Sequence, residues 1–530
     1  MIHDKDLVSI QEVRDKVERA HRAWLKYRNY SQEKVDAIVE AMAAAGRAHA
    51  RKLAEWAVEE TGYGNVESKI AKNLLCADLL AQKIRPLKTV GVLRELPDEK
   101  IVEIGVPVGV VAAILPVTNP TSTAIFKALI SLKAGNAIVI APHPHAYRCT
   151  CGTAEILYNA ALQAGAPEDI IQCVNASTIE GTNALMKHER TAVILATGGH
   201  GIVRAAYSSG VPAFGVGPGN VPVLIERTAD VPDAVRKVVI GKTFDYGTVC
   251  SSEQAIVAEE ALRQQVVAEL KANKAYFANE EQKAALGRVL VTPNFTISSK
   301  CVGQAPTKIA RMAGFEVPAD TSIIVVELDG VGREHPLSME KLSPVLALYF
   351  RKDFAGAMET CEELLHFGGL GHTAVIFSKD DARIRAFAMR MPAMRVMVNT
   401  PSPQGSTGGT TNLWPSMTLG CGAAAGNSTS DNVGPLHLIN IKRLAYAVRE
   451  PAGLPSREEP AAAVAGNIDQ RALIAAVEQY LASRGIPASG GASATGSIAE
   501  EVVDRFLARR GTPAQPEPVP PSPECKPGGG

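Results

Sequence analysis

Over residues 9–60 apolar positions recur at helical spacing, with Val13, Val17, Ala20 and Trp24 opening the series. The pattern predicts two or three amphipathic helices. Ser9 with Glu12 reads as a capping box for the first, a second begins near Ser31, and two glycines within residues 60–64 stop the run. Another helix reaches about Lys83. From Val90 to Ile104 the pattern alternates loosely around a charged turn at 97–100, which predicts a hairpin or exposed arm.

From 105 to 220 short β-branched runs (108–114, 137–140, 192–196) alternate with helical segments (121–131, 148–163, 181–187). Such alternation predicts βαβ units and a doubly wound parallel sheet. Ligands bind at the C-terminal ends of strands in these sheets, so the loops LPVTNP (115–120), APHPHA (141–146) and ATGGHG (196–201) become candidate sites. A second α/β pattern runs from 221 to about 430, with a helix over 232–246 and strands at 223–225, 254–258, 323–328, 345–350, 373–377 and 395–398. A Gly/Ser/Thr-rich loop occupies 402–411, and 433–448 reads as a final strand and arm.

After Pro451 the chain turns to Ala, Pro, Gly and Ser, a linker composition. Two amphipathic segments interrupt it. One spans 467–485, with Asn467 and Gln470 as a cap and Leu473, Val477, Tyr480 and Leu481 on one face. The other spans 497–511, with the capping box Ser497/Glu500 and the face Ile498, Val502 and Phe506. Isolated helices this short are marginal in water, so these faces call for a partner. The last 19 residues, rich in Pro and Gly, read as disordered.

Composition narrows the function. Hydrophobic residues make up 46% and charged residues 21%, as in an ordinary globular enzyme, and 55 acids balance 55 bases, so the global charge favours neither nucleic acid nor an anionic membrane. The N-terminus lacks the basic start and apolar run of a signal peptide, and the apolar stretch at 106–115 is too short to span a bilayer. Nine scattered cysteines predict a reduced, intracellular compartment and no disulfide framework.

One cysteine stands apart. In GKTFDYGTVCSSEQAIV (241–257) a helix is expected to end at Gly247 and a strand to resume at Gln254, which leaves Cys250 on the loop between them. A thiol between rigid elements, beside small polar residues, suits a nucleophile better than a core filler. His143, His145, Cys149 and Cys151 are close in sequence, but their spacing and the intervening prolines fit no zinc motif, and no metal is expected.

Taken in order, Asn119, ATGGHGIVRAAYSSG, GVGPGN, TVCSSEQ, EKLSPV and GLGHT resemble the motifs of the aldehyde dehydrogenase superfamily, and specifically its CoA-acylating branch, over about residues 9–450. The resemblance implies an aldehyde dehydrogenase-like fold of two doubly wound α/β domains with a small β oligomerisation arm and a flexible C-terminal tail. It divides the chain into a dinucleotide-binding domain (1–87 and 105–220), a catalytic domain (221–430), an arm (88–104 and 431–450) and a tail (451–530). Cys250 matches the family nucleophile, and Asn119 the donor that joins the Cys250 N–H at the developing oxyanion. Thr197, Gly198 and Gly199 match the turn that approaches the NAD pyrophosphate or nicotinamide. Pro142 and His143 fall where the family holds the adenosine ribose, and Glu340 matches the ligand of the nicotinamide ribose. His372, in GLGHT, fits equally a base that assists the CoA thiol and a structural histidine.

Hydrolytic members carry a glutamate base where this chain has Val216, in VGPGN. Without that base a thioester on Cys250 resists water, and coenzyme A is the thiol that the resembling branch uses as cosubstrate. The implied reaction oxidises a short-chain aldehyde, acetaldehyde or propionaldehyde first, to an acyl-CoA in ping-pong order. A hydrolytic enzyme giving a free acid and a compartment-associated protein without catalysis are the alternatives. NAD rather than NADP, and a homodimer or homotetramer, follow from the resemblance. The tail is similar to encapsulation peptides, which implies a cytoplasmic bacterial microcompartment lumen as location and shell or cargo proteins as partners.

Overall fold

The computed structural model describes residues 4–449, 469–485 and 498–510. Helix α1 (Lys5–Tyr27) is capped by Asp4, whose carboxylate accepts the Asp6 and Leu7 N–H groups. The capping box expected at Ser9 and Glu12 is therefore not the helix start: with an acid available upstream the helix begins a turn earlier. Ser9 is buried opposite Gly181, and Glu12 instead accepts the N–H groups of Asn175 and Ala176. Helix α2 (Gln32–Ala48) starts at Ser31 as the pattern predicts, α3 (Ala50–Thr61) stops at Gly62 with φ 66°, and α4 (Val66–Leu74) is capped by Asn65. These helices bury their apolar stripe against the first sheet.

The hairpin β1 (Gly91–Leu96) and β2 (Ile101–Pro107) forms around the predicted turn. Next comes a five-stranded sheet of β3 (Val110–Ile114), β4 (Ala137–Ala141), β5 (Ile171–Cys173), β6 (Thr191–Thr197) and β7 (Ala213–Val216), in the order β5-β4-β3-β6-β7 with all pairings parallel. A seven-stranded sheet follows: β8 (Val221–Ile225), β9 (Glu253–Glu259), β10 (Ala275–Phe277), β11 (Ile323–Glu327), β12 (Val345–Arg351), β13 (Gly371–Phe377) and β14 (Ala393–Val398), ordered β10-β11-β12-β9-β8-β13-β14 and again parallel throughout. Strand β15 (Ile439–Ala445) returns to pair antiparallel with β2, making a three-stranded arm. The central strands are buried on both faces, as parallel strands covered by helices must be, and their near-continuous Val/Ile/Ala runs carry that burial.

The pattern missed β5, β7 and β10, each three or four residues long, because runs that short leave no period to read. The helix expected over 232–246 ends at Thr243, since Asp245 and Tyr246 both adopt φ 51° in the left-handed region. Cys151 and Cys173 are joined by a disulfide that ties the helix Tyr147–Gln163 to the end of β5, a pairing the scattered cysteines did not predict. Met1–Ala447 and Val448–Gly530 form separate compact units. In the second, helices Gln470–Ser483 and Ile498–Arg510 are linked by Gln470 Nε2 donating to Asp504 Oδ1 at 2.8 Å. Asp469 caps the first of them, while Asn467, Ser497 and the last 19 residues lie outside the described residues. The face expected to need a partner, Ile498, Val502 and Phe506, is exposed in this chain, while Ala499 and Val503 are buried. No helix among the described residues is long and apolar enough to cross a membrane.

Candidate active site

A cleft of about 1120 Å³ lies between the two parallel sheets, and all eight site residues expected from the sequence line it. Its volume exceeds the usual range of roughly 300–1,000 Å³ for a single small-ligand pocket. The first sheet contributes the C-terminal ends of three adjacent strands: Asn119 follows β3, Pro142 and His143 follow β4, and Thr197, Gly198 and Gly199 close β6. These strands flank the point where the strand order reverses, where a doubly wound sheet opens a crevice.

Each loop leaves polar groups available. Asn119 is the N-cap of helix Pro120–Lys133 yet makes no side-chain cap; its Oδ1 accepts from Lys72 and its Nδ2 donates to Thr118 Oγ1 at 3.0 Å. Pro142 O accepts from Ser177 Oγ at 2.7 Å. His143 Nδ1 accepts the His145 N–H at 3.2 Å, which leaves the proton of the neutral ring on Nε2. Burial and His145 hold the His143 pKa below its ordinary value. Thr197 Oγ1 is buried without a partner among the described residues, and helix His200–Tyr207 starts at Gly199 with no side-chain cap. By contrast Glu60 occupies the start of helix Tyr147–Gln163, accepting from the Arg148 and Cys149 N–H groups at 2.8 and 2.6 Å.

The second sheet contributes the opposite ends of its strands. Gly219 precedes β8, Cys250 precedes β9, Glu340 precedes β12 and His372 opens β13. Of the described free cysteines Cys250 alone is partly exposed, within the cleft, where the surrounding protein still desolvates its thiol. Gly219 lies so close that a Cβ there would meet Cys250 O at 2.0 Å and the His372 ring at 3.3 Å. Glu340 Oε1 accepts the Gly219 N–H at 3.1 Å, which joins the turn after β7 to the loop before β12.

Electrostatics leave the thiol protonated. Burial, then Glu340 and Cys421, push Cys250 up to about 12, opposed by the Arg395 guanidinium. Burial raises Glu340 to about 8, so it is a neutral acid at pH 7. His372 is buried and held neutral by burial and Arg395, with its pKa lowered to about 3; Nδ1 meets Thr373 Oγ1 at 3.0 Å and Nε2 has no partner among the described residues. Cys149, once weighed with the histidines as a ligand group, is buried with Sγ donating to Ala146 O, and Cys151 is taken up in the disulfide.

Sequence reasoning missed Lys69, Lys72 and Asp245, buried beneath the Asn119 loop. No local pattern marked them: in VESKIAKNL the two lysines stand beside Glu67, Ser68 and Asn73 and read as a solvated helix face.

Residues 4–411 match the model of the aldehyde dehydrogenase family. The bifunctional aldehyde-alcohol dehydrogenase of Escherichia coli (strain K12) is 43% identical over 444 residues, covering 83% of this chain and 50% of that protein. The chain spans about half the length of the first curated relatives it matches. Among solved structures, an acetylating aldehyde dehydrogenase from Geobacillus thermoglucosidasius is 51% identical with a TM-score of 0.84, covering 85% of this chain and 99% of that one. A Rhodopseudomonas palustris propionaldehyde dehydrogenase with bound propionyl-CoA is 28% identical with a TM-score of 0.75, covering 82% and 94%.

Proposed function

The chain belongs to the aldehyde dehydrogenase family, and from that premise we propose that it oxidises a short-chain aldehyde to its acyl-CoA through a thioester on Cys250. The observation that carries the acylating reading is the acid content of the cleft. Glu340 is the single carboxylate among the residues lining it, burial keeps that group protonated at neutral pH, and its Oε1 is already engaged by Gly219. Val216 lines the cleft at the position where hydrolytic members need a glutamate. No lining carboxylate is placed to activate water against the thioester, which favours release by a stronger nucleophile, the CoA thiol.

The first sheet's loops fit NAD. The unpartnered Thr197 hydroxyl and the uncapped helix start at Gly199 suit a pyrophosphate, the His143 Nε2–H and Pro142 loop suit the adenosine ribose, and Glu340 suits the nicotinamide ribose. When bound, the nicotinamide supplies the hydride acceptor. Cys250 Sγ, its proton released to solvent, adds to the aldehyde carbon. Asn119 Nδ2 and the Cys250 N–H hold the oxyanion that forms on the carbonyl oxygen. Loss of hydride from that carbon leaves an acyl group on Sγ, and attack by the CoA sulfur forms acyl-CoA and returns the Cys250 thiol.

Steady-state NADH formation from acetaldehyde or propionaldehyde is expected only with CoA present; without it, one equivalent per Cys250 is released. Equal steady rates in both conditions refute the acylating reading. We propose further that the β1-β2-β15 arm, which leaves Val92, Ile441 and Leu444 exposed, joins copies of this chain into a homodimer or homotetramer. The tail helices dock on shell or cargo proteins of a bacterial microcompartment. Deleting 452–530 is expected to spare catalysis and abolish packaging; a truncated protein recovered inside purified compartments refutes the second half.

A further inference from the structure

Beneath the cleft α4 carries a cation pair whose role the reaction outlined above does not assign. Lys69 and Lys72, three residues apart on one helical face, are both buried, and both reach Asp245 Oδ2, five residues before Cys250. The carboxylate is fixed on every side: Asn65 N–H donates to Oδ1 at 2.9 Å and Thr248 Oγ1 to Oδ2 at 2.6 Å. Gly64 approaches so closely that a Cβ there would meet Oδ1 at 1.8 Å. Asp245 and Tyr246 adopt left-handed φ 51° to reach this position, which non-glycine residues hold only when their surroundings impose it. Lys69 spends a second N–H on Thr118 O at 3.0 Å, next to Asn119. Lys72 donates to Asn119 Oδ1 at 2.5 Å.

A buried ion cluster of this kind costs desolvation, and a well-packed apolar core would serve stability as well. What the cluster adds is orientation and charge. Asn amide oxygen and nitrogen are distinguished only by their partners, and an ammonium can face only the oxygen. With Oδ1 held by Lys72 and one Nδ2 proton given to Thr118 Oγ1, the second Nδ2 proton remains for the cleft. Drawing electron density toward Oδ1 also strengthens Nδ2 as a donor. Two ammoniums around one carboxylate leave net positive charge behind the amide, on the side where an oxyanion develops.

We infer that Lys72 is a positioning residue for the oxyanion donor: it locks the Asn119 amide with Nδ2 toward the cleft and, through Asp245, ties that amide to the loop that carries Cys250. The inference rests on the proposed roles of Asn119 and Cys250. Burial lowers the Lys72 pKa, opposed by Asp245, to about 8, so Lys72 remains charged at neutral pH. Burial alone would raise Asp245, but Lys72 and Lys69 outweigh it and hold the carboxyl below its ordinary range.

The test uses the full chain and two reagents for one thiol. Acylation of Cys250 by p-nitrophenyl acetate passes through an oxyanion and needs neither NAD nor CoA; alkylation by iodoacetamide forms none. Lys72→Met is expected to slow the nitrophenolate burst about 10- to 100-fold, Asn119→Ala about 10²–10³-fold, and the double variant no more than Asn119→Ala alone. Alkylation stays within about twofold throughout. Loss of both reactions in parallel, or multiplication of the two single effects, makes Lys72 a merely structural residue and overturns the inference. A slow Asn119→Ala with an unaffected Lys72→Met overturns the inference and leaves the reading of Asn119 standing. An unaffected Asn119→Ala overturns that reading itself. If Lys72→Met does not fold, Asp245→Asn, which keeps the cation but weakens its anchor, is measured the same way; acylation unchanged against wild type overturns the inference.

Discussion

The five-stranded and seven-stranded sheets are both parallel throughout, yet they offer the cleft opposite ends. Strands β3, β4 and β6 present their C-terminal ends, and the chain leaves β3 and β6 into helices that begin with no side-chain cap. At β6 that end is ready for an anion without a charged side chain, which suits a pyrophosphate, while behind the β3 loop lie Lys69 and Lys72. Strands β8, β9, β12 and β13 present their N-terminal ends. Cys250 lies seven residues past the end of helix Val231–Thr243, on a loop where burial outweighs the backbone N–H that would favour a thiolate. Backbone geometry therefore serves the cofactor end, whereas the chemical end depends on side chains and on what binds. Burial first, then Glu340 and Cys421, keep Cys250 protonated at rest.

Replacing the nucleophile separates the two ends most sharply. Cys250→Ala is expected to cut CoA-dependent NADH formation by about 10⁴-fold or more while the NAD dissociation constant, read by calorimetry, moves less than about twofold. A parallel loss of NAD binding would break the division between the ends. The resting thiol offers a second measurement. In the ligand-free enzyme, iodoacetamide alkylation of Cys250 is expected to rise throughout from about pH 7 to 10, by less than tenfold per unit near pH 8 where Glu340 ionises and by about tenfold per unit above it, because the thiolate fraction still grows below a pKa of about 12. A plateau by pH 9, seen by mass spectrometry of the Cys250 peptide, would show activation already built into the apo site. At the other end Thr197→Val removes a hydroxyl with no partner among the described residues. The expected result is a KM for NAD raised about three- to tenfold with kcat nearly unchanged, since the lost bond serves binding alone. A matching fall in kcat would place Thr197 in the chemistry.

Legibility in the sequence divides along the same line. The loops after β3, β4 and β6 were readable because a βαβ alternation announces where its strands end and small residues mark the turns. Cys250, Asn119 and Glu340 were readable only through ordered motifs: no local pattern distinguishes Glu340 from a solvated loop acid, although its burial turns it into a neutral group. The left-handed pair Asp245 and Tyr246 was not readable at all, and the helix expected to run on to Tyr246 ends at Thr243. Its cause is tertiary: Lys69, Lys72 and Gly64, nearly 180 residues upstream, hold Asp245 in place. The Ser9/Glu12 box failed for a local reason, an earlier acid that caps the same helix. The tail helices formed where the pattern put them, and the apolar face that the pattern left in need of a partner, Ile498, Val502 and Phe506, is exposed.

The smallest effect concerns stability at the chemical end. Glu253 opens β9, three residues after Cys250, with Oε1 accepting the Ser402 N–H at 2.7 Å and Oε2 buried without a partner among the described residues. Burial raises its pKa to about 8, opposed by the Ser402 N–H and Lys242. The folded protein thus holds a proton that the unfolded chain, with an ordinary carboxyl, releases above about pH 4.5. The stability this contributes is complete below that ordinary pKa and is lost as pH rises toward 8. Lys242, lowered to about 7 by burial, stays charged in both states below pH 7 and leaves the window from about pH 5 to 7 undisturbed. Glu340 titrates in the same direction and remains in both proteins compared. Glu253→Gln keeps the acceptor for Ser402 and cannot ionise, so its melting temperature is expected to fall less than that of the wild type between pH 5 and 7, with a gain on the order of 1 kcal/mol near neutrality. Equal slopes for the two proteins would mean that Glu253 ionises freely where it stands. The N-terminal ends of this sheet would then tolerate charge as well as the opposite ends of the first, and the contrast between the two would rest on the backbone alone.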